Sequence, residues 1–223
     1  MNDTTVVYYT CNAEDAVFEK NAVRALINSA GDTPIISVSQ KPMNLGNNIC
    51  VGDVGKSSQN HYVQLLIGLE TATTKWICAA EADGLYVPEY FQFQPPRDDT
   101  FYLAKPLWVF FMQRGFARRF ASKPEGSELA MVCSRRLLIE RIRTILEPIG
   151  GSWGLHCSGE ARWPNLIDKS AIKLERFHLD NPCITVKTDN QMHRRTPHRS
   201  STSTTEIPYW GHVDQFTKRF FRW

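Results

Sequence analysis

Apolar and polar positions along the chain change period in a regular order. Val6-Val7-Tyr8-Tyr9 is a β-branched and aromatic run that stops at Thr10-Cys11-Asn12, which predicts a first strand. From about Glu14 to Ser29 the apolar residues Phe18, Ala22, Ala25 and Leu26 recur at helical spacing, and Gly31-Asp32 closes the segment. Pro34 to Ser39 predicts a second strand, and Asn48 to Gly52 a short third one after a Gly/Asn loop. Ser57-Ser58 suit a helix cap, with Tyr62, Leu65, Leu66 and Leu69 following at i, i+3, i+4 and i+7. The run Trp76-Ile77-Cys78-Ala79-Ala80 is too short and too unbroken for an amphipathic helix, so it predicts a strand buried on both faces. Strand, helix, strand, strand, helix, strand is the order of an α/β fold, a mostly parallel sheet flanked by helices.

The second half alternates less cleanly. Phe101 to Phe111 and Ala130 to Cys133 predict strands, and Ser134 can cap a helix lined by Leu138, Ile142, Ile145 and Leu146. Pro148 to Asp168, rich in Gly, Trp and Pro, predicts a long ordered loop. Cys183 to Val186 predicts a last strand, and the polar run Arg194 to Thr205 a mobile connection before Ile207-Pro208-Tyr209-Trp210-Gly211. Neither an internal repeat nor a linker stands out, and 223 residues can bury one full core, so a single domain is expected.

Composition narrows the function classes. With 42% hydrophobic residues the chain is not globally disordered, and it has no apolar stretch near the roughly 20 residues a membrane span needs. The N-terminus lacks the basic and apolar regions of a signal peptide. The six cysteines are scattered without a C-x-x-C pair, which argues for reduced thiols in a cytoplasmic protein and against a structural zinc site. Net charge is +3 but uneven. Residues 1–103 hold 6 Lys/Arg against 12 Asp/Glu, whereas residues 104–146 hold 9 against 3 and residues 187–223 hold 7 against 3. Basic stretches of this kind either bind phosphate-bearing partners or form solvated faces.

The most informative chemistry sits where the buried run ends, in Glu81-Ala82-Asp83. Open α/β sheets place their ligands at the carboxyl ends of such strands. Alternate residues of an extended strand point the same way, so both carboxylates can converge on one point. Oxygen ligands in that arrangement suit Mg²⁺ or Mn²⁺, which are held by one or two carboxylates together with substrate phosphates. The plainer reading is a strand that ends at the surface.

These residues carry a resemblance. The N-terminal strand ending in Thr10-Cys11-Asn12, the following βα steps and the apolar strand ending in Glu81-Ala82-Asp83 resemble a GT-A glycosyltransferase, whose acid-x-Asp motif holds a metal on a nucleotide-sugar diphosphate. Ile36 to Pro42, Asn48 to Gly52 and Ile207 to Gly211 are similar to small GT-A-like proteins of phages and microbes. The resemblance covers residues 4–91 well and the C-terminus loosely. It departs from the family in its first acid, which is Glu81 rather than Asp.

The resemblance implies a single GT-A-like (Rossmann-like) domain, with residues 1–91 as the nucleotide-sugar-binding half and 92–223 as the acceptor-binding half. It implies a nucleotide-sugar donor, first of all a UDP-sugar, contacted by Tyr9, Thr10, Asn12, Ser39 and Gln40, with Lys56 near phosphate. Glu81 and Asp83 would hold Mn²⁺ or Mg²⁺, joined by a C-terminal histidine for which His193 ranks first. Glu160 and Asp168 are the expected candidates for a base that activates the acceptor.

The phage-type likeness implies sugar transfer to a hydroxymethylated DNA base in a host cytoplasm, with a cell-surface glycan as the rival acceptor. Arg118, Arg119, Arg194, Arg195 and Arg199 would then hold backbone phosphates. Phe220, Phe221 and Trp223 would pack on an exposed base, and the Trp153–Trp163 loop would act as a wedge. Two other classes compete. A nucleotidyltransferase also places acids after a buried strand, but it favours a Gly-rich basic loop that Thr10 to Glu14 lacks. A non-catalytic nucleic-acid-binding protein leaves the buried acid pair unexplained.

Overall fold

The computed structural model describes residues 3–112, 117–156, 165–190 and 202–222. The first half runs β1 (Thr4–Thr10), α1 (Ala16–Ala30), β2 (Ile35–Ser39), β3 (Asn47–Cys50), α2 (Ser58–Thr71) and β4 (Trp76–Glu81). It continues through β5 (Gly84–Leu85), α3 (Pro88–Gln92), β6 (Phe101–Phe111), β7 (Phe120–Ser122), β8 (Met131–Ser134) and α4 (Arg135–Leu146). The chain then adds β9 (Leu174–Lys187), β10 (Ser203–Thr204), a small β11 (Glu206–Ile207) and β12 (Gly211–His212) hairpin, and α5 (Val213–Phe221).

One sheet joins both halves in the order β10-β7-β6-β8-β4-β1-β2-β3, with β9 beside β6 and β5. Its β3-β2-β1-β4 portion is entirely parallel, with α1 crossing from β1 to β2, α2 from β3 to β4, and only the loop 40–46 between β2 and β3. β8 enters antiparallel between β4 and β6, while β9 runs parallel to β6, so the sheet is mixed and mostly parallel. This is the expected α/β architecture.

The two-residue period of β1 divides the core. Val6 and Tyr8 pack with Phe18 and Leu26 of α1 and Phe216 and Phe220 of α5. Val7 and Tyr9 face the other way, toward Leu65 and Leu69 of α2 and Leu138 and Ile142 of α4. α2 lies so close to β1 that a Cβ on Gly68 would stand 2.4 Å from Val7 Cγ1. Asp15, Ser57 and Ser134 cap α1, α2 and α4 through their side-chain oxygens.

Several short elements, among them α3, β7 and β10 within the run 194–205 read as mobile, go beyond the sequence reading, and two longer ones differ from it. The last long strand begins at Leu174 rather than Cys183. Its first half is partly exposed, so it lacks the apolar run that marks Cys183–Val186, and Pro182 reads as a breaker. Pro182 in fact sits where the pairing with β6 slips between Lys105 and Leu107, a bulge that tolerates proline. The second difference is α5, whose buried residues Val213, Phe216, Thr217 and Phe220 follow i, i+3, i+4, i+7. Phe220 is therefore core, and Phe221 stacks on Phe18 at 4.9 Å, so neither is presented to a nucleic-acid base.

Candidate functional site

The parallel pairing of β1 with β4 sets Tyr9 opposite Glu81, so both strands end at one level. Over those ends lies a cavity of about 600 Å³. One wall is the end of β1 and its loop, from Tyr9 to Glu14. A second is the entry to α2 with its first turn, from Gly55 to Tyr62. The third is the segment Lys123 to Glu128 that leads into β8, and Glu81, Asp83 and Lys187 form the floor between them.

A few hydrogen bonds hold the acids in place. Tyr9 donates its hydroxyl to Glu81 Oε1 at 3.0 Å. The Glu81 backbone N–H donates to the Tyr86 hydroxyl at 2.8 Å, which itself donates to the Leu129 carbonyl at 3.0 Å. That hydroxyl occupies the space above Gly84, where a Cβ would stand only 2.2 Å away, so a side chain there would push it out. β5 pairs with β9, Gly84 opposite Thr185, and this brings the end of β9 to Asp83. Asp83 Oδ2 accepts from Lys187 Nζ at 3.3 Å and from the Thr185 hydroxyl at 3.2 Å. Thr188 fastens the same strand end to the β1 side by donating to Glu14 Oε2 at 2.7 Å. Across the cavity, Glu128 Oε2 accepts from the Tyr62 hydroxyl at 3.4 Å.

The acids crowd one another in a sheltered place. Burial, with added repulsion from Asp83 and Glu128, pushes the Glu81 carboxyl up to about 8, although Lys187 and the Tyr9 hydroxyl pull the other way. Burial pushes Glu128 up to about 7, opposed by the Tyr62 hydroxyl, the Ile167 and Leu166 amides and Lys123. Glu14 is also raised by burial. Tyr9 and Tyr62 are held well above the usual phenol range, first by burial, and stay hydrogen-bond donors.

The lining carries Glu14, Glu81, Asp83, Glu125 and Glu128 against Lys56, Lys123 and Lys187. With all five carboxyls ionised a bare diphosphate would meet net negative charge here, and a cation arriving with it would offset the repulsion. Among the described residues no group of three His, Cys, Asp or Glu forms a ready-made metal cage. The donor set thus fits an ion held by one or two carboxylates and completed by substrate oxygens and water, the habit of Mg²⁺ and Mn²⁺.

Of the residues singled out from sequence, Tyr9, Thr10, Lys56, Glu81 and Asp83 meet at this cavity. Asn12, Ser39 and Gln40 do not line it and serve as scaffold. Asn12, with a positive φ of 50°, accepts the Gln40 and Lys41 amides on Oδ1 and donates to Glu19. Ser39 donates to the Lys41 carbonyl, and the Gln40 side chain donates to the Gly55 carbonyl. Asp168 is fully exposed, and the Ser170 N–H and hydroxyl bonded to its carboxylate hold it below the usual range. The structure therefore does not bring Asp168 to the acids. Arg118 and Arg119 precede β7 and lie outside the lining, whereas Lys123 just after β7 is part of it. Glu160, His193, Arg194, Arg195, Arg199, Trp163 and Trp223 fall outside the described residues.

Sequence reasoning missed Glu14, Lys123, Glu128 and Lys187. Lys187 had a signal, because it ends an apolar strand just as Glu81 does. Glu128 had none, since only its place before β8 makes it part of the cavity.

No protein-family model matches the chain, and a search of curated proteins finds no match. Solved structures of related shape include S. aureus TarS 1–349, at 10% identity, 61% of this chain, 48% of that one and a TM-score of 0.36. The bifunctional IspDF from Campylobacter jejuni gives 8%, 80%, 50% and 0.40 in the same order. A glycosyltransferase involved in glycosylation of the major capsid of PBCV-1 gives 8%, 78%, 81% and 0.43. The chain spans about half the length of the first two. At TM-scores below 0.5 these likenesses decide nothing about activity, and the functional reading rests on the cavity.

Proposed function

We propose that this protein is a glycosyltransferase that moves a sugar from a nucleotide-sugar donor to an acceptor hydroxyl. The observation that carries the reading is the convergence of Glu81 and Asp83 at the ends of β1 and β4, in a cavity that also holds Lys56, Lys123 and Lys187. Tyr9 and Thr10 lie where a nucleoside would rest, and the Lys56 side chain beside the α2 entry would meet phosphate. Asp83 and Glu81 would hold Mn²⁺ or Mg²⁺, which when bound offsets the charge of the leaving diphosphate. Lys187, 3.3 Å from Asp83 Oδ2, then holds that carboxylate in place at the cavity floor. For the acceptor, the basic stretches 104–146 and 187–223 favour a hydroxymethylated DNA base over a glycan.

The test is thermal shift against UDP-, GDP- and other nucleotide sugars, with and without Mn²⁺. Mass analysis of hydroxymethylated DNA, unmodified DNA and free glycans incubated with each donor then reads the acceptor. A melting rise that needs both donor and metal, lost in Asp83→Ala, supports the reading. Undiminished transfer in EDTA or in Asp83→Ala refutes it. Mass gain on a glycan and on no DNA refutes the DNA acceptor alone.

A further inference from the structure

We propose that Glu128 is the catalytic base that takes the proton from the acceptor hydroxyl during transfer. The inference rests on the glycosyltransferase reading and adds to it the residue and the stereochemistry. Strand order supplies the geometry. The loop after β1 and the entry to α2 make the donor wall of the cavity, and β4 with Glu81 and Asp83 forms its floor. Glu128 sits one turn before β8, on the far side of β4 from β1, so a donor bound across β1 and β4 presents its sugar toward it.

The other cavity acids are committed or misplaced. Glu14 accepts from Thr188 on the donor wall, Asp83 is paired with Lys187, Glu81 and Asp83 are assigned to the cation, and Glu125 is exposed at the rim. Glu128 is half-buried and aimed by the Tyr62 hydroxyl. The groups that face it are Tyr62 from α2, Glu81 from β4, Lys123 after β7, and the amides of Leu166 and Ile167.

In the step, the acceptor oxygen bonds to the anomeric carbon while its proton passes to the Glu128 carboxylate. The bond from that carbon to the phosphate oxygen breaks, and its electron pair leaves with the nucleoside diphosphate. A single displacement of this kind inverts the anomeric carbon.

The experiment uses the full chain with Mn²⁺ and UDP-glucose or GDP-mannose, taking water as the simplest hydroxyl acceptor and azide as a nucleophile with no proton to lose. In Glu128→Gln, hydrolysis should fall about 100-fold or more, while donor binding by thermal shift stays within a few-fold and azide restores turnover as an inverted glycosyl azide. Glu128→Ala should behave alike, which covers a Gln variant that folds poorly. Hydrolysis within a few-fold of wild type, an equal loss with water and azide, or a retained product would overturn the role of Glu128 while leaving the transferase reading intact. Wild-type protein that neither binds nor turns over any donor would overturn both.

Discussion

Removing the Tyr86 hydroxyl should destabilise the protein far more than removing that of its neighbour Tyr90. Both rings are fully buried, at 1% and 0% exposure, and they stack at 5.1 Å, so Phe substitution changes one oxygen in nearly the same surroundings. The Tyr86 oxygen accepts the Glu81 N–H and donates to the Leu129 carbonyl. β8 pairs with β4 only over Trp76–Cys78, so that N–H gains no strand partner on its β8 side when the hydroxyl goes. An orphaned buried N–H costs about 1–3 kcal/mol, and the lost bond to Leu129 adds about 1 kcal/mol. Tyr90 instead faces two carbonyls, Ala79 at 2.8 Å and Met131 at 2.7 Å, and has one proton for both. Carbonyls carry a second lone pair and tolerate the loss better, so Tyr90→Phe should cost about 1 kcal/mol. At about 2–4 °C per kcal/mol for a chain of this size, Tyr86→Phe should melt about 4–16 °C lower and Tyr90→Phe about 2–4 °C lower. Urea melts followed by tryptophan fluorescence, with unchanged slopes, give the same comparison. Equal losses, or a larger one for Tyr90→Phe, would refute the assignment of the Glu81 amide to that hydroxyl.

Further predictions concern pH and packing. Because Glu81 and Glu128 are raised to about 8 and about 7, the folded state binds more protons than the unfolded one above the ordinary carboxylate range. The metal-free protein should therefore lose stability as pH rises from about 4.5 to 8. Melting curves across that range should show the fall, and Glu81→Gln with Glu128→Gln should flatten it; a flat wild-type profile would contradict the crowding of the acids. Gly68→Ala drives a methyl into Val7 and should cost about 1–3 kcal/mol, read as a lower urea midpoint, whereas a neutral result would mean that α2 can move off β1.

The first half of the fold was legible because its elements advertise themselves. β1 and β4 each hold an unbroken apolar run, and Tyr62, Leu65, Leu66 and Leu69 of α2 recur at i, i+3, i+4 and i+7 after a capping serine. The acid pair stood out for the same reason, because it follows a buried run directly, and both acids line the cavity. What the sequence hid is tertiary. Asn12 and Gln40 carry the polarity expected of ligand contacts, yet they spend it on each other and on neighbouring loops. Glu128 and Lys187 reach the cavity only because β8 and β9 return to the strand ends from far along the chain. The basic stretches were the weakest guide, because charge along a sequence does not say which face it decorates.

The ion pair between Asp83 and Lys187 joins residues 104 positions apart, and this sets when the site can come into being during folding. The acid-bearing strand β4 pairs with β1 across 72 positions, a shorter closure than the one to β9, and can form before it. The cation on Asp83, the clasp from Thr188 to Glu14 and the pairing of β5 all wait for β9 to dock beside β6. Closing so long a loop is slow but adds only modest entropy cost per residue, so cavity assembly follows collapse of the first half rather than driving it. A nascent chain that has emerged only as far as Asp83 holds the acids without the groups that aim them. Ligand binding therefore reports on completion of the whole sheet, and any ligand that bridges the floor and both walls locks the early and late parts of the chain together.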